Sequence, residues 1–368
     1  MNANESQMNE TKIRVLVADD SKVARMLLVH LLESDPRIQV VGVVNDGEAA
    51  LDFLERQKPD VILMDLHMPG LDGFETTRRI METRALPIVI CTATLNAKDV
   101  AISFRSMEAG AVACLEKPVS REHPGYEALA ADLLQTIKLM SEVKVVRRWP
   151  RARLAGAADA PPRAVEEPSA PADLRLIGMG ASTGGPPVLQ TILAGLPKEF
   201  NTPILIVQHI APGFLPGLVD WLNQTTAWHV QIAAHGVTPK PGHAYLAPDD
   251  FHMGIAPSGR IMLSREGPIG GLRPAVAYLF RTLAEVCGPQ AVGVILTGMG
   301  RDGAAELKLM RDAGAETIAQ SRETSVVHGM PGEAIAMDAA THILATDKIA
   351  DALVTLVRRP GVAKGRES

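Results

Sequence analysis

LRLIGMGASTGGPPVLQTILAG, residues 174–195, is an apolar run that breaks at a turn of small residues and restarts with helical spacing. The run to Gly180 reads as a strand of a parallel sheet, because a strand covered on both faces is apolar almost throughout. Gly180, Ala181, Gly184 and Gly185 surround Ser182, so the backbone there can approach a substrate closely. The following helix, expected over 186–195, offers unpaired N–H groups at its start. The G-x-S-x-G spacing describes a nucleophile elbow. A strand–turn–helix rich in glycine can also cradle phosphate. This one has neither the Walker lysine nor a full G-x-G-x-x-G with a downstream acidic residue.

The same alternation extends in both directions. Downstream, 203–208, 291–298 and 315–320 read as strands, with helices expected over 214–224, 272–287, 303–313 and 347–358. Between them, 243–264 holds short runs punctuated by Gly and Pro, which suggests an antiparallel excursion. Upstream, 13–18, 40–44, 60–65, 86–91 and 111–116 read as buried strands, and helical stretches over 21–34, 47–56, 73–82, 98–109 and 126–145 fill the gaps. Five βα units imply a doubly wound α/β sheet with its strand carboxyl ends along one edge. Residues 147–172 are dominated by Pro, Ala and charge, without period, and read as a solvated connector. Three parts follow: a domain over 12–145, a linker over 146–173 and a second α/β domain over 174–358.

Bulk properties narrow the function classes. The 368 residues carry a net charge of −5 and only 4% aromatics, which gives no field for a polyanion and few platforms for stacking bases. The basic run Arg147-Arg148-Trp149-Pro150-Arg151 belongs to the connector. Cys91, Cys114 and Cys287 lack metal-ligand spacing and read as reduced, buried thiols. The polar opening MNANESQMNET has no signal core, and no apolar window is long enough to span a bilayer. The expectation is a cytoplasmic protein with neither nucleic-acid binding nor membrane insertion.

A serine hydroxyl needs a base, and the base needs a carboxylate to fix its tautomer. Of the ten histidines, His209 directly follows the apolar strand PILIVQ, which sets it on the edge that carries Ser182. His229, His235, His243, His252 and His342 read as structural. Asp302, in LTGMGRDGA (296–304), also lies just past an apolar strand; Asp249 and Asp250 are alternatives that follow a proline. The order Ser…His…Asp differs from that of the α/β-hydrolases, so the scaffold is a different one. Backbone N–H groups of the glycine-rich turn around Met299 suit an oxyanion hole.

The first domain holds a second constellation. Asp19 and Asp20 end its first strand and Asp65 its third, so three carboxylates converge at one edge. Each singly could cap a helix. Together they repel unless a hard cation such as Mg²⁺ sits among them. Thr92 and Lys117, after the fourth and fifth strands, add a hydroxyl and a cation, and one carboxylate can accept a phosphoryl group.

VADDSKVAR, LMDLHMPGLDG, CTA and EKP, in that order, resemble the receiver domain of two-component response regulators over about residues 12–140. The resemblance implies a flavodoxin-like fold with a five-stranded parallel sheet. It implies phosphorylation of Asp65 by a histidine kinase, and Mg²⁺ held by Asp20, Asp65 and the backbone carbonyl of His67, with Asp19 acting through water. Thr92 and Lys117 match the switch hydroxyl and the phosphate-pairing lysine; Cys114 stands where an aromatic is common. GASTGGP, QHIAPGF, AYLAPDDFHM, LTGMGRDGA and VVHGMPGEA resemble the catalytic domain of the chemotaxis protein-glutamate methylesterase (CheB) family over about residues 174–358. That resemblance implies hydrolysis of γ-glutamyl methyl esters on chemoreceptor cytoplasmic helices, often with deamidation of receptor glutamines, and no cofactor for the chemistry. Ser182 matches the nucleophile, His209 the general base and acid, and Asp302 the group that orients it; Thr183 and the Met299 N–H match positions at the substrate or oxyanion site. His328 stands where the family commonly has an aromatic. An unphosphorylated receiver packed over the Ser182 edge is the expected form of control. A hydrolase-like adaptor and a hydrolase of an unrelated ester are the competing classes.

Overall fold

The structure, a computed structural model, describes residues 12–92, 97–118, 125–143, 145 and 176–358. The expected linker, 146–173, lies wholly outside them. The chain divides into two compact units, 1–150 and 151–368.

In the first unit, β1 (Ile13–Ala18), β2 (Ile38–Val44), β3 (Val61–Met64), β4 (Ile88–Thr92) and β5 (Ala113–Glu116) form a parallel sheet in the order β2-β1-β3-β4-β5. Helices α1 (Lys22–Leu32), α2 (Gly47–Arg56), α3 (Gly73–Thr83), α4 (Ala97–Ala109) and α5 (Tyr126–Ser141) connect and follow the strands. Chain order reverses about β1 and β3, the switch point at which open α/β sheets bind ligands. The VILM run of β3 is buried at all four positions, as a central strand requires.

The second unit is built on one seven-stranded sheet, ordered β14-β13-β12-β6-β7-β9-β8, whose neighbouring strands are all parallel. Its strands are β6 (Leu176–Ala181), β7 (Ile204–Gln208), β8 (His229–Ile232), β9 (His243–Leu246), β12 (Ala291–Ile295), β13 (Glu316–Gln320) and β14 (His342–Leu344). The helices are α6 (Gly185–Gly195), α7 (Leu215–Thr225), α8 (Val276–Val286), α9 (Ala304–Asp312), α10 (Met330–Ala336) and α11 (Thr346–Arg358). Leu176, Leu205, Tyr245, Phe280, Ile295 and Leu307 anchor a shared core.

The antiparallel excursion is smaller than the sequence suggests. Among the described strands only β10 (His252–Ile255) and β11 (Ile261–Ser264) pair antiparallel. His243–Leu246 instead joins the main sheet, parallel to β7 on one side and β8 on the other. Gly and Pro punctuation marks chain breaks but carries no strand direction. β9 is covered on both faces, with Tyr245 and Leu246 fully buried, as strands inside a parallel sheet are.

Candidate active site and phosphoryl pocket

The chain leaves the sheet at three neighbouring strand ends, and each exit carries one of the three expected hydrolytic side chains. Ser182 follows β6, His209 follows β7, and Asp302 lies in the turn after β12. β6 sits between β12 and β7, at the point where the strand order reverses. The Ser182 turn is held by backbone bonds: Ser182 N–H donates to Thr297 O (3.0 Å), and Gly185 N–H to Ser182 O (2.8 Å). Gly184 has φ of +77°, a conformation that glycine adopts without penalty. Gly298 must lack a side chain, because a Cβ there would stand 2.7 Å from Ser182 Cβ.

His209 Nε2 lies 2.9 Å from Asp302 Oδ2, with the two side chains 12% and 8% exposed. The distance is that of an ion pair, although the ring N–H is not aimed squarely at the oxygen. Asp302 is fixed from the other side. Its Oδ2 accepts the Val276 N–H at 2.6 Å and its Oδ1 the Ala277 N–H at 3.0 Å. Ala275, the residue at the cap position of α8, has no capping side chain, so Asp302 caps that helix from a distant part of the chain. The alternative carboxylates are engaged elsewhere: Asp249 accepts the Gly213 N–H, and Asp250 faces Arg273. Among the described residues no hydrogen bond joins the Ser182 hydroxyl to His209; such contacts in unliganded hydrolases commonly tighten only around substrate.

Met299 lies between Gly298 and Gly300, and the latter has φ of +76°. Gly298 O accepts N–H bonds from Gly329 and Met330, which fixes the turn, while the Met299 N–H has no acceptor among the described residues. Thr183 is half-buried beside Ser182. Several supporting polar residues were not foreseen. Thr297 Oγ1 bonds to Thr183 O (3.0 Å) and Val327 O (3.1 Å), and its N–H donates to Gln320 Oε1 (2.7 Å). Gln208 Nε2 reaches both Ser182 O and His209 O. The signal available for both glutamines is a polar residue closing an apolar strand, PILIVQ and AETIAQ. His328, held near Ser325, has a pKa lowered by burial and by Arg322.

His252 is fully buried, its ring nitrogens engaged with Gly267 O and Ala275 N–H, which bears out its structural reading. His342 pairs with Glu316 and His243 with Pro241 O. The three cysteines are free. Burial pushes the Cys287 thiol up to about 11.

In the first unit, Asp19 and Asp65 leave the adjacent strands β1 and β3. Asp19, Asp20 and Asp65 each present a carboxylate oxygen within 4.8 Å of the others. Neither Asp19 nor Asp20 caps α1: Ser21 does, accepting Ala24 N–H, while Asp19 Oδ1 takes the Ser21 N–H. Lys117 Nζ lies 2.7 Å from Asp19 Oδ2 and 3.1 Å from Asp65 Oδ2. Burial raises the Asp65 pKa against the pull of Lys117. Burial alone would lower that of Lys117; the carboxylates of Asp65 and Asp19 outweigh it and hold the ammonium charged. An all-oxygen set of three carboxylates fits a hard divalent cation. Thr92 Oγ1 is fully buried and has no hydrogen-bond partner among the described residues.

A family model described as CheB methylesterase matches residues 177–353, and one described as response regulator receiver domain matches residues 15–124. A protein-glutamate methylesterase/protein-glutamine glutaminase of Syntrophus aciditrophicus is 52% identical over 346 residues, covering 94% of this chain and 98% of that protein. The chain belongs to the CheB methylesterase family. A protein-glutamate methylesterase/protein-glutamine glutaminase from Nitrosospira multiformis is 50% identical over 353 residues, 96% of this chain and 99% of its own. The crystal structure of the Thermotoga maritima CheB methylesterase catalytic domain is 39% identical and covers 50% of this chain and 98% of its own, at a TM-score of 0.48. The relatives span both units, so this CheB-family chain carries the receiver and the methylesterase domain in one polypeptide. Among the described residues no helix is long and apolar enough to cross a membrane.

Proposed function

We propose that the protein is a phosphorylation-activated protein-glutamate methylesterase that also deamidates glutamine, acting on chemoreceptor cytoplasmic helices. The observation that carries the reading is the exit of Ser182, His209 and Asp302 from three adjacent parallel strands, with His209 Nε2 and Asp302 Oδ2 at 2.9 Å. With Nε2 turned to Asp302, Nδ1 is the ring nitrogen left for the serine proton. Ser182 Oγ attacks the γ-carbonyl carbon as its proton passes to His209. The Met299 and Thr183 N–H groups stabilise the oxyanion. Collapse of the tetrahedral intermediate expels methanol, or ammonia from glutamine, which takes the proton from His209. Water then attacks the acyl-enzyme, giving its proton to His209, and glutamate and Ser182 are restored. No cofactor enters these steps.

In the receiver, Asp65 is the proposed phosphoryl acceptor. Its Oδ1 already takes the Leu66 N–H at 2.9 Å, which leaves Oδ2, beside Lys117, to attack phosphorus as the bond from phosphorus to the donor histidine's nitrogen breaks and the imidazole departs. Lys117 then pairs with a phosphoryl oxygen, and the Thr92 hydroxyl donates to another. Asp20, Asp65 and the His67 carbonyl, with Asp19 through water, would hold Mg²⁺, which neutralises charge on the transferring group. The donor in the cell is a histidine kinase of the chemosensory system, and the cytoplasm is the compartment such partners require. Asp65→Asn should incorporate no phosphate from acetyl phosphate, read as the loss of one phosphoryl mass shift; chelation by EDTA should do the same to the parent chain. The reading as a whole is tested by methanol release from methyl-labelled receptor, with and without acetyl phosphate. Faster release with the phosphodonor is expected. No release from receptor, alongside hydrolysis of small esters, would assign the site to another substrate.

A further inference from the structure

Gln208 closes β7 one residue before His209 and is 4% exposed. Its Nε2 donates to the carbonyl of Ser182 and to the carbonyl of His209, each at 2.8 Å. A primary amide nitrogen carries two protons, so one proton serves each carbonyl and both bonds form together. The backbone continues the tie, since His209 N–H donates to Ala181 O at 2.9 Å. The amide can sit only one way round. Turned over, Oε1 would face two carbonyl oxygens, acceptor against acceptors. In the observed orientation Oε1 is buried with no hydrogen-bond partner among the described residues, against Gly185, where a Cβ would collide with it. A buried acceptor is thus left unmatched so that two donors reach the main chain of two catalytic segments. Glycine at 185 leaves the space that arrangement needs.

We infer that Gln208 is a positioning residue, which sets the separation of the nucleophile from its base by clamping the carbonyls of Ser182 and His209. It touches no reacting atom and works through the main chain on either side. The inference rests on Ser182 and His209 being nucleophile and base. The spacing it governs decides the rate, because a misplacement of about 1 Å costs on the order of 100-fold.

The test uses the full chain and a fluorophosphonate probe, which reports the reactivity of Ser182 whatever ester is its natural substrate. Gln208→Met keeps the volume and removes both donors. Gln208→Glu keeps the shape but is acceptor-only when ionised, and donates one O–H when protonated. Labelling rates are measured per folded site, normalised by near-UV circular dichroism. Both variants should label about 10- to 100-fold more slowly than the parent near pH 8. As the pH falls to about 6, the Gln208→Glu to parent ratio should rise, since burial raises that carboxyl's pKa, while the Gln208→Met ratio stays flat. If one variant fails to fold near pH 8, the other carries that comparison. Labelling within about twofold of the parent in both would overturn the inference. So would a lowered melting temperature in both with the per-site rate kept, which is the signature of a packing residue. A parent chain that the probe does not label at Ser182 would remove the hydrolase reading first and this inference with it.

Discussion

Ser182→Ala should reduce methanol release from methylated receptor to background, a loss of about 10⁶-fold in kcat by analogy with other triad hydrolases. The turn does not depend on the lost hydroxyl. Its geometry is held by Ser182 N–H to Thr297 O, by Gly185 N–H to Ser182 O and by the Gln208 amide, none of which the substitution touches. The variant should therefore fold with an unchanged melting temperature. Its receiver should still take up phosphate at Asp65, because that pocket lies in the other unit. Phosphate incorporation is then an internal control for folded protein in the same sample. What remains, oxyanion donors and a base without a nucleophile, supports at most a slow direct attack by water. Turnover within about tenfold of the parent would take Ser182 out of the nucleophile's role.

The strand ends were the legible part of this molecule. Near-continuous apolar runs mark β1, β3, β6, β7 and β12; the first polar residue after three of them is Asp19, Asp65 or Ser182, and His209 stands one residue past Gln208 at the end of β7. Chemistry gathers there because an open parallel sheet turns every strand's carboxyl end to one edge. The elements missed were short or lay at the sheet margin. β8 is exposed at three of its four positions and β14 spans only His342–Leu344, so neither has the buried pattern that betrays a strand. β9 falls in the 243–264 stretch, whose short runs punctuated by Gly and Pro suggest antiparallel pairing, yet such punctuation carries no information on which strands pair. Gln208 and Gln320 were visible as polar residues closing apolar strands, yet their meaning lies in partners such as Ser182 and Thr297 from other strands. No local pattern links Asp302 to Val276, a contact across 26 residues.

That last contact makes Asp302→Asn the more discriminating substitution. The carboxylate does two things at once: it faces His209 Nε2 at 2.9 Å, and it takes the Val276 and Ala277 N–H groups that open α8. An asparagine has one oxygen for three donors. Placed at the Oδ2 position, the oxygen keeps Val276 and His209, but the NH₂ then meets the Ala277 N–H. Turned over, the NH₂ meets Val276 and His209 instead. Either way a buried donor loses its acceptor, at about 1–3 kcal/mol, and the helix N-terminus loses its counter-charge, at about 0.3–1 kcal/mol. The melting temperature should fall accordingly. Hydrolysis should fall further, by about 10⁴-fold in kcat with KM little changed, because a neutral partner neither fixes the tautomer nor stabilises the imidazolium that forms as Ser182 attacks. The two losses separate the possible roles. If Asp302 were only the distant cap of α8, Asp302→Asn would lose stability while the folded fraction kept its kcat. A kcat within about tenfold of the parent, per folded site by near-UV circular dichroism, would leave His209 without its partner and the triad without its third member.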